Sequence, residues 1–160
     1  MAPCRSFIPH PLILCLLLIA LCVPQTGYPQ AMQAQAVGKW RTIDDETGKE
    51  RSIVELRQVN GELQGRILNI FLRSDEKPDP LCEACDGARK NQPVIGMTFL
   101  WGLKPDGNDA WAGGAILDPK NGKIYNAKAS LAEDGKALRV RGFIGTPLLG
   151  RTQTWLREAE

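Results

Sequence analysis

Histidine is almost missing from this sequence. His10 is the single one in 160 residues, and it lies ahead of the apolar run at 12–23. A folded part without imidazole cannot assemble a Ser-His-Asp or Cys-His dyad, a histidine zinc site or a proximal-histidine haem site. A surplus of either charge is also missing. With 20 Lys and Arg against 18 Asp and Glu, nothing calls for nucleic acid or an anionic membrane as a partner. Beyond residue 23 no apolar run reaches the roughly 20 residues of a membrane helix, so no span is expected. No stretch keeps an amphipathic helical period.

What stands at the N-terminus is an export signal. Arg5 precedes the apolar residues 12–23, and a charged start with a run of this length fits a secretory signal peptide. Ala34-Gln35-Ala36 supplies the small-x-small pattern of a cleavage site. Residues 1–36 are therefore read as a cleaved signal, with Ala31 as the other cleavage point, and 37–160 as a single domain. Leu14 and Leu21 precede Cys15 and Cys22, where a lipoprotein would need a small residue. The expected address is the periplasm, with secretion as the alternative. Cleavage removes His10, Cys4, Cys15 and Cys22 and leaves Cys82 and Cys85.

The rest of the chain reads as short strands parted by turn chemistry. Residues 40–43, 52–59, 63–72, 94–103, 111–117, 124–131, 138–143 and 151–157 carry β-branched, aromatic and aliphatic side chains. Between them stand Asn60-Gly61, the dipeptide best suited to a type I′ hairpin, then Pro105-Asp106-Gly107, Asp118-Pro119-Lys120-Asn121-Gly122 and Asp134-Gly135. Eight strands joined mostly by tight turns predict an all-β, antiparallel up-and-down meander that closes into a small β-barrel, because closure removes exposed edges. Arg51, Arg57, Arg66, Lys128, Arg139 and Arg141 within the strands argue against a lipid-facing outer band.

Cys82-Glu83-Ala84-Cys85 lies in a long Pro- and Asp-rich loop, 73–93. A structural disulfide pinning that loop is the leading expectation. A redox pair or a metal site are the alternatives, although thiol oxidoreductases place such a pair at a helix start, and a metal would lack two further ligands. No metal or cofactor is expected. Trp40 and Trp155 are read as packing that closes the barrel, whereas Trp101 and Trp111, with Tyr125 and Arg141, are candidates to line a ligand pocket. The strand residues Gly65, Gly96, Gly113, Gly114, Ala127 and Ala129 either let backbones approach or leave interior volume. Arg139, Arg141 and Arg151 form a basic cluster that either holds an anionic head group or is a solvated strand face. The carboxylates fall mostly in turns, and no acid–base pair stands out.

Several blocks in one order resemble a known family. They are Gly38-Lys39-Trp40, Asp79-Pro80-Leu81-Cys82-Glu83-Ala84-Cys85, Gly113-Gly114-Ala115-Ile116-Leu117-Asp118-Pro119-Lys120-Asn121-Gly122, Arg141-Gly142-Phe143-Ile144-Gly145 and Leu149-Gly150-Arg151-Thr152-Gln153-Thr154-Trp155. The family is the bacterial domain of unknown function 2147, whose members are exported proteins without an established activity. Gly38-x-Trp40 with a late arginine, Arg157 or Arg151, is also similar to lipocalins and related calycin barrels. That resemblance implies a first-strand tryptophan covered by a last-strand arginine, and a small hydrophobic ligand.

The expected function is that of a non-enzymatic envelope protein that binds a small apolar or amphiphilic molecule inside the barrel. Two alternatives stand beside it: a thiol redox protein using Cys82 and Cys85, and a protein-interaction module acting through the loop 73–93.

Overall fold

A computed structural model describes residues 35–159 with the exception of Glu46. The expected signal peptide thus lies outside the described residues but for Gln35 and Ala36. Eight strands follow in order: β1 (Gly38–Ile43), β2 (Glu50–Val59), β3 (Glu62–Ile70), β4 (Thr98–Pro105), β5 (Ala110–Leu117), β6 (Ile124–Ala132), β7 (Ala137–Phe143) and β8 (Gly150–Arg157). Each pairs antiparallel with the next, and β1 pairs with β8, so the sheet is a closed barrel. The closing register sets Trp40 opposite Arg157 and Thr42 opposite Trp155. Among the described residues no helix is long and apolar enough to cross a membrane.

The alternation of the strands fills the interior. Trp40 and Thr42 of β1, Val54 and Leu56 of β2, Leu63 and Ile67 of β3, Leu138 and Val140 of β7 and Trp155 of β8 are all buried, while their strand neighbours, the fully buried Ala137 excepted, are more exposed. Burying each large apolar side chain contributes about 1.5–3 kcal/mol. The Asn60-Gly61 turn has positive φ at both positions, 51° and 80°, as a two-residue hairpin requires.

One strand begins later than its sequence suggests. Residues 94–97 do not pair as regular β4. Val94 donates to the Pro80 carbonyl, and Gly96 and Met97 exchange hydrogen bonds with Ile67. The long loop takes up the first part of the predicted strand.

Up-and-down topology gives the barrel two unlike ends. The β2–β3, β4–β5 and β6–β7 turns and both ends of the barrel sequence lie at one, the closed end. The other, the mouth, carries the β1–β2, β3–β4, β5–β6 and β7–β8 connections.

Candidate functional site

The closed end is built from Gly38, Trp40 and Arg157. The Arg157 guanidinium lies 4.2 Å from the Trp40 ring centroid, a cation–π contact. It also donates to the carbonyls of Gly135 (2.6 Å), Gln35 (2.5 Å) and Val37 (3.3 Å), so one side chain ties three chain segments together. Burial holds its pKa below the ordinary arginine value, yet a guanidinium stays charged at physiological pH. The Trp40 indole N–H donates to the Ala36 carbonyl at 2.9 Å, and Ala36 is fully buried. Of the two arginines matched to the lipocalin position, Arg157 occupies it. Arg151 instead pairs with Gly142 across β7–β8 and reaches Asp45 of the β1–β2 turn at 2.5 Å.

Above this latch the barrel is solid. Trp40, Trp111 and Trp155 are each no more than 1% exposed, and Phe99 packs on Trp155 with ring centroids 5.9 Å apart. The small strand residues mark close approach rather than space: a Cβ on Gly65 would sit 3.0 Å from the Leu100 Cβ, and one on Gly114 would sit 2.7 Å from the Leu103 Cγ. Two open hollows lie elsewhere, one against Arg157 and the Glu133–Gly135 turn, the other bordered by Lys128, Arg139, Arg141 and Thr152 on the outward faces of β6 to β8. Trp111 holds a buried indole N–H that, among the described residues, meets no acceptor.

Toward the mouth the inward side chains are no longer sealed. Ser52, Ile116, Tyr125 and Gln153 are half-buried, and Gly142 of β7 lies opposite Arg151 of β8. A Cβ on Gly142 would meet Ile116 at 3.3 Å and Tyr125 at 3.7 Å, which places both beside it on the inner wall. The hydroxyls of Thr42 and Ser52 are hydrogen-bonded at 2.7 Å, and the Tyr125 hydroxyl accepts from the Asn121 amide at 3.3 Å. With the Arg151–Asp45 ion pair on the rim, the mouth combines an apolar wall with a polar edge. No described group of His, Cys, Asp or Glu is arranged to hold a metal ion.

The placement of one expected pocket residue, Trp101, departs from simple alternation. Trp101 shares parity with Leu103 and would share its face in a regular strand. Gly102 (φ 73°) interrupts β4, so that Leu100 and Leu103 are both fully buried while Trp101 points outward, with the Arg89 guanidinium 4.7 Å from its ring centroid. Gly113 (φ 74°) does the same to β5, turning Trp111 and Ile116 inward together. Arg141 also lies outside: it donates to the carbonyls of Pro147 (2.6 Å) and Leu148 (3.4 Å) and to Thr152 Oγ1 (2.8 Å). Tyr125 and Trp111 face inward but at different depths. Ser52, Ile116 and Gln153 were not singled out by the sequence; locating the two bulges is the signal that would have found Ile116.

Cys82 and Cys85 are joined by a disulfide, and both are buried. Their loop is seated on the β5–β6 turn. Cys82 Sγ lies 3.4 Å from the Pro119 carbonyl, and Gly122 has no room for a Cβ, which would come within 1.9 Å of the Ala84 carbonyl oxygen. A bidentate pair between Arg51 and Glu76 (2.6 and 2.8 Å) and the Arg73–Asp44 contact (2.5 Å) tie the first part of the loop to the barrel. The hydrogen bonds from Arg51, then from the Arg73 backbone, hold the Glu76 carboxyl below the ordinary glutamate range.

The family model for an uncharacterized protein conserved in bacteria (DUF2147) matches residues 38–157, from the glycine of the closed end to its arginine. The chain belongs to this family. Among solved structures, a protein described as "Protein HP1028 from the human pathogen Helicobacter pylori belongs to the lipocalin family" superposes with a TM-score of 0.67 at 21% identity, covering 78% of this chain and 84% of that one. At that identity the likeness is one of fold, and the DUF2147 chain is a lipocalin-like barrel. No curated protein matches it.

Proposed function

We propose that this DUF2147 protein is an exported, non-catalytic binding barrel that takes a small amphiphilic molecule at its mouth. The observation that carries the reading is the change in burial along the inner wall. Trp40, Trp111 and Trp155 are sealed, whereas Ser52, Ile116, Tyr125 and Gln153 remain half-buried. The apolar part of a ligand would rest on Ile116, Tyr125 and the bare backbone of Gly142. Its polar part would face Ser52, Gln153 and the Arg151–Asp45 pair. A lipocalin-like fold supports this use, since such barrels hold ligands between their strands. The ligand would be short, because the tryptophan layer leaves the depth of the barrel filled.

Native mass spectrometry of protein recovered from a producing bacterium, followed by calorimetric titration with a C10–C12 alkyl amphiphile, tests the reading. The expected result is one-to-one binding that Ile116→Lys weakens at least about tenfold, with the unfolding transition retained. Absence of any bound amphiphile, or binding indifferent to Ile116→Lys, would remove it.

A further inference from the structure

The β7–β8 connection presents apolar side chains to solvent in an ordered arrangement. Ile144, Leu148 and Leu149 are 64%, 89% and 71% exposed, and with Ile124 of the neighbouring hairpin they are the only large apolar residues among those described that are more than half exposed. The loop is braced. Ile144 donates to the Leu149 carbonyl and Leu149 to the Thr146 carbonyl, while Arg141 grips the carbonyls of Pro147 and Leu148 from the barrel wall. A hairpin that holds leucine outward in this way is shaped for a partner that supplies apolar surroundings.

The charge around the tip says which partner. The near-neutral total conceals a segregation: between residues 119 and 157, apart from the closed-end Glu133, Asp134, Lys136 and Arg157, stand Lys120, Lys123, Lys128, Arg139, Arg141 and Arg151 and no carboxylate. Glu133 and Asp134 sit in the β6–β7 turn at the closed end, away from the tip. Lys128, Arg139 and Arg141 form no ion pair among the described residues, unlike Arg41, Arg51, Arg73 and Arg151. Cross-strand pairing sets Lys128 opposite Arg141 and Arg141 opposite Thr152. These side chains and Arg139 border a shallow outer groove of about 270 Å³, with Asp106 as the sole carboxylate on its rim. The groove meets the apolar tip at Arg141.

We infer that the β7–β8 tip and the cationic groove behind it dock this barrel onto an anionic phospholipid surface. Leu148, Leu149 and Ile144 enter the acyl boundary, and Lys128, Arg139 and Arg141 lie against phosphate head groups. Apolar insertion combined with basic residues is the two-part signal that holds a peripheral protein on a membrane. A protein partner fits less well, since a convex six-residue tip offers far less than the roughly 800 Å² per side of a stable protein interface. Docking by the mouth end would also bring the inner wall of β6 and β7 close to the lipid, but the inference does not depend on a ligand binding there.

The test is co-sedimentation of residues 32–160, which keep all eight strands and the entire buried core, with vesicles of phosphatidylglycerol and phosphatidylethanolamine or of phosphatidylcholine alone. The protein should sediment with the anionic vesicles and be released by salt. The doubles Leu148→Asp/Leu149→Asp and Lys128→Glu/Arg139→Glu should each lower the bound fraction at least about tenfold with unchanged circular dichroism and thermal midpoint. Equal retention on both lipids, no retention, or retention untouched by either double would overturn the inference. So would a dimer in solution that Leu148→Asp/Leu149→Asp dissolves in the absence of vesicle binding, which would assign the tip to a second copy of the chain. Ile116→Lys, which blocks the mouth, should leave sedimentation as it is.

Discussion

The two ends of this barrel share strands but not physics. At the closed end, Arg157 covers Trp40, three backbone carbonyls accept from one guanidinium, and the tryptophan layer excludes water. At the mouth the same alternation of side chains delivers Ile116, Tyr125 and Gln153 to a wall that solvent still reaches, and the connecting loop holds leucines outward. A barrel of eight strands is wide enough to be filled or to hold one ligand. Here the difference is made within a single barrel by where the large residues fall, so the sealed packing lies at one end and the proposed recognition at the other.

That division can be broken most directly by truncating each end in turn. Trp155→Ala should cost about 3–5 kcal/mol in urea unfolding, whereas Tyr125→Ala, at a half-buried position of the mouth, should cost about 1 kcal/mol. Comparable losses would mean that the mouth is as much a part of the core as the tryptophan layer. The closed end also bears on where the folded chain starts. Gln35 and Ala36 give their carbonyls to Arg157 and Trp40, so a chain beginning at Val37 should be less stable than one beginning at Met32 by about 1–3 kcal/mol. The intact mass of protein recovered from a producing bacterium would report whether a cleavage falls after Ala36, the expected point, or after Ala31.

Smaller effects sharpen the picture. Replacing both Cys82 and Cys85 with serine should lower stability by about 2 kcal/mol, as expected for a short cross-linked loop, without abolishing the barrel's circular dichroism. Trp40→Phe should cost about 1 kcal/mol more than Trp111→Phe, because the first forfeits a hydrogen bond to Ala36 and the second only an indole N–H that has no acceptor. The smallest effect is acid sensitivity at the mouth. The folded-state pKa of Glu76 is depressed by Arg51, so its contribution is fully present above the unfolded glutamate value of about 4.3 and is lost as pH falls through the lower folded value. Hydrogen exchange in loop 71–97 should rise below that pH, and Glu76→Gln should flatten the dependence. Glu158, lowered by Arg41, should act in the same direction at the seam of β1 and β8.

Much of the fold was legible because strand period, turn dipeptides and the Gly38-x-Trp40 pattern are local signals. The closing of the barrel followed from the need to leave no edge unpaired. Less of the mouth was readable. Alternation assigns faces only until a strand bulges, and Gly102 and Gly113 each shift the phase, which turns Trp101 out and Ile116 in. Arg141 is on the outward face of an uninterrupted β7, between the buried Val140 and the inward Gly142, so its placement was available from period alone. The seat of the disulfide loop on Gly122 was not: it is a contact between segments some 37 residues apart, and nothing local encodes it.

The proposed division between a filled depth and a receptive mouth can be read in one titration. In ¹H–¹⁵N spectra recorded while a C10–C12 alkyl amphiphile is added, the backbone signals of Ile116, Tyr125, Gly142 and Gln153 should shift, and the indole signals of Trp40 and Trp155 should stay in place. Movement of those two indoles with the mouth residues silent would contradict the account, because the ligand would then occupy the depth that the tryptophans are described as filling.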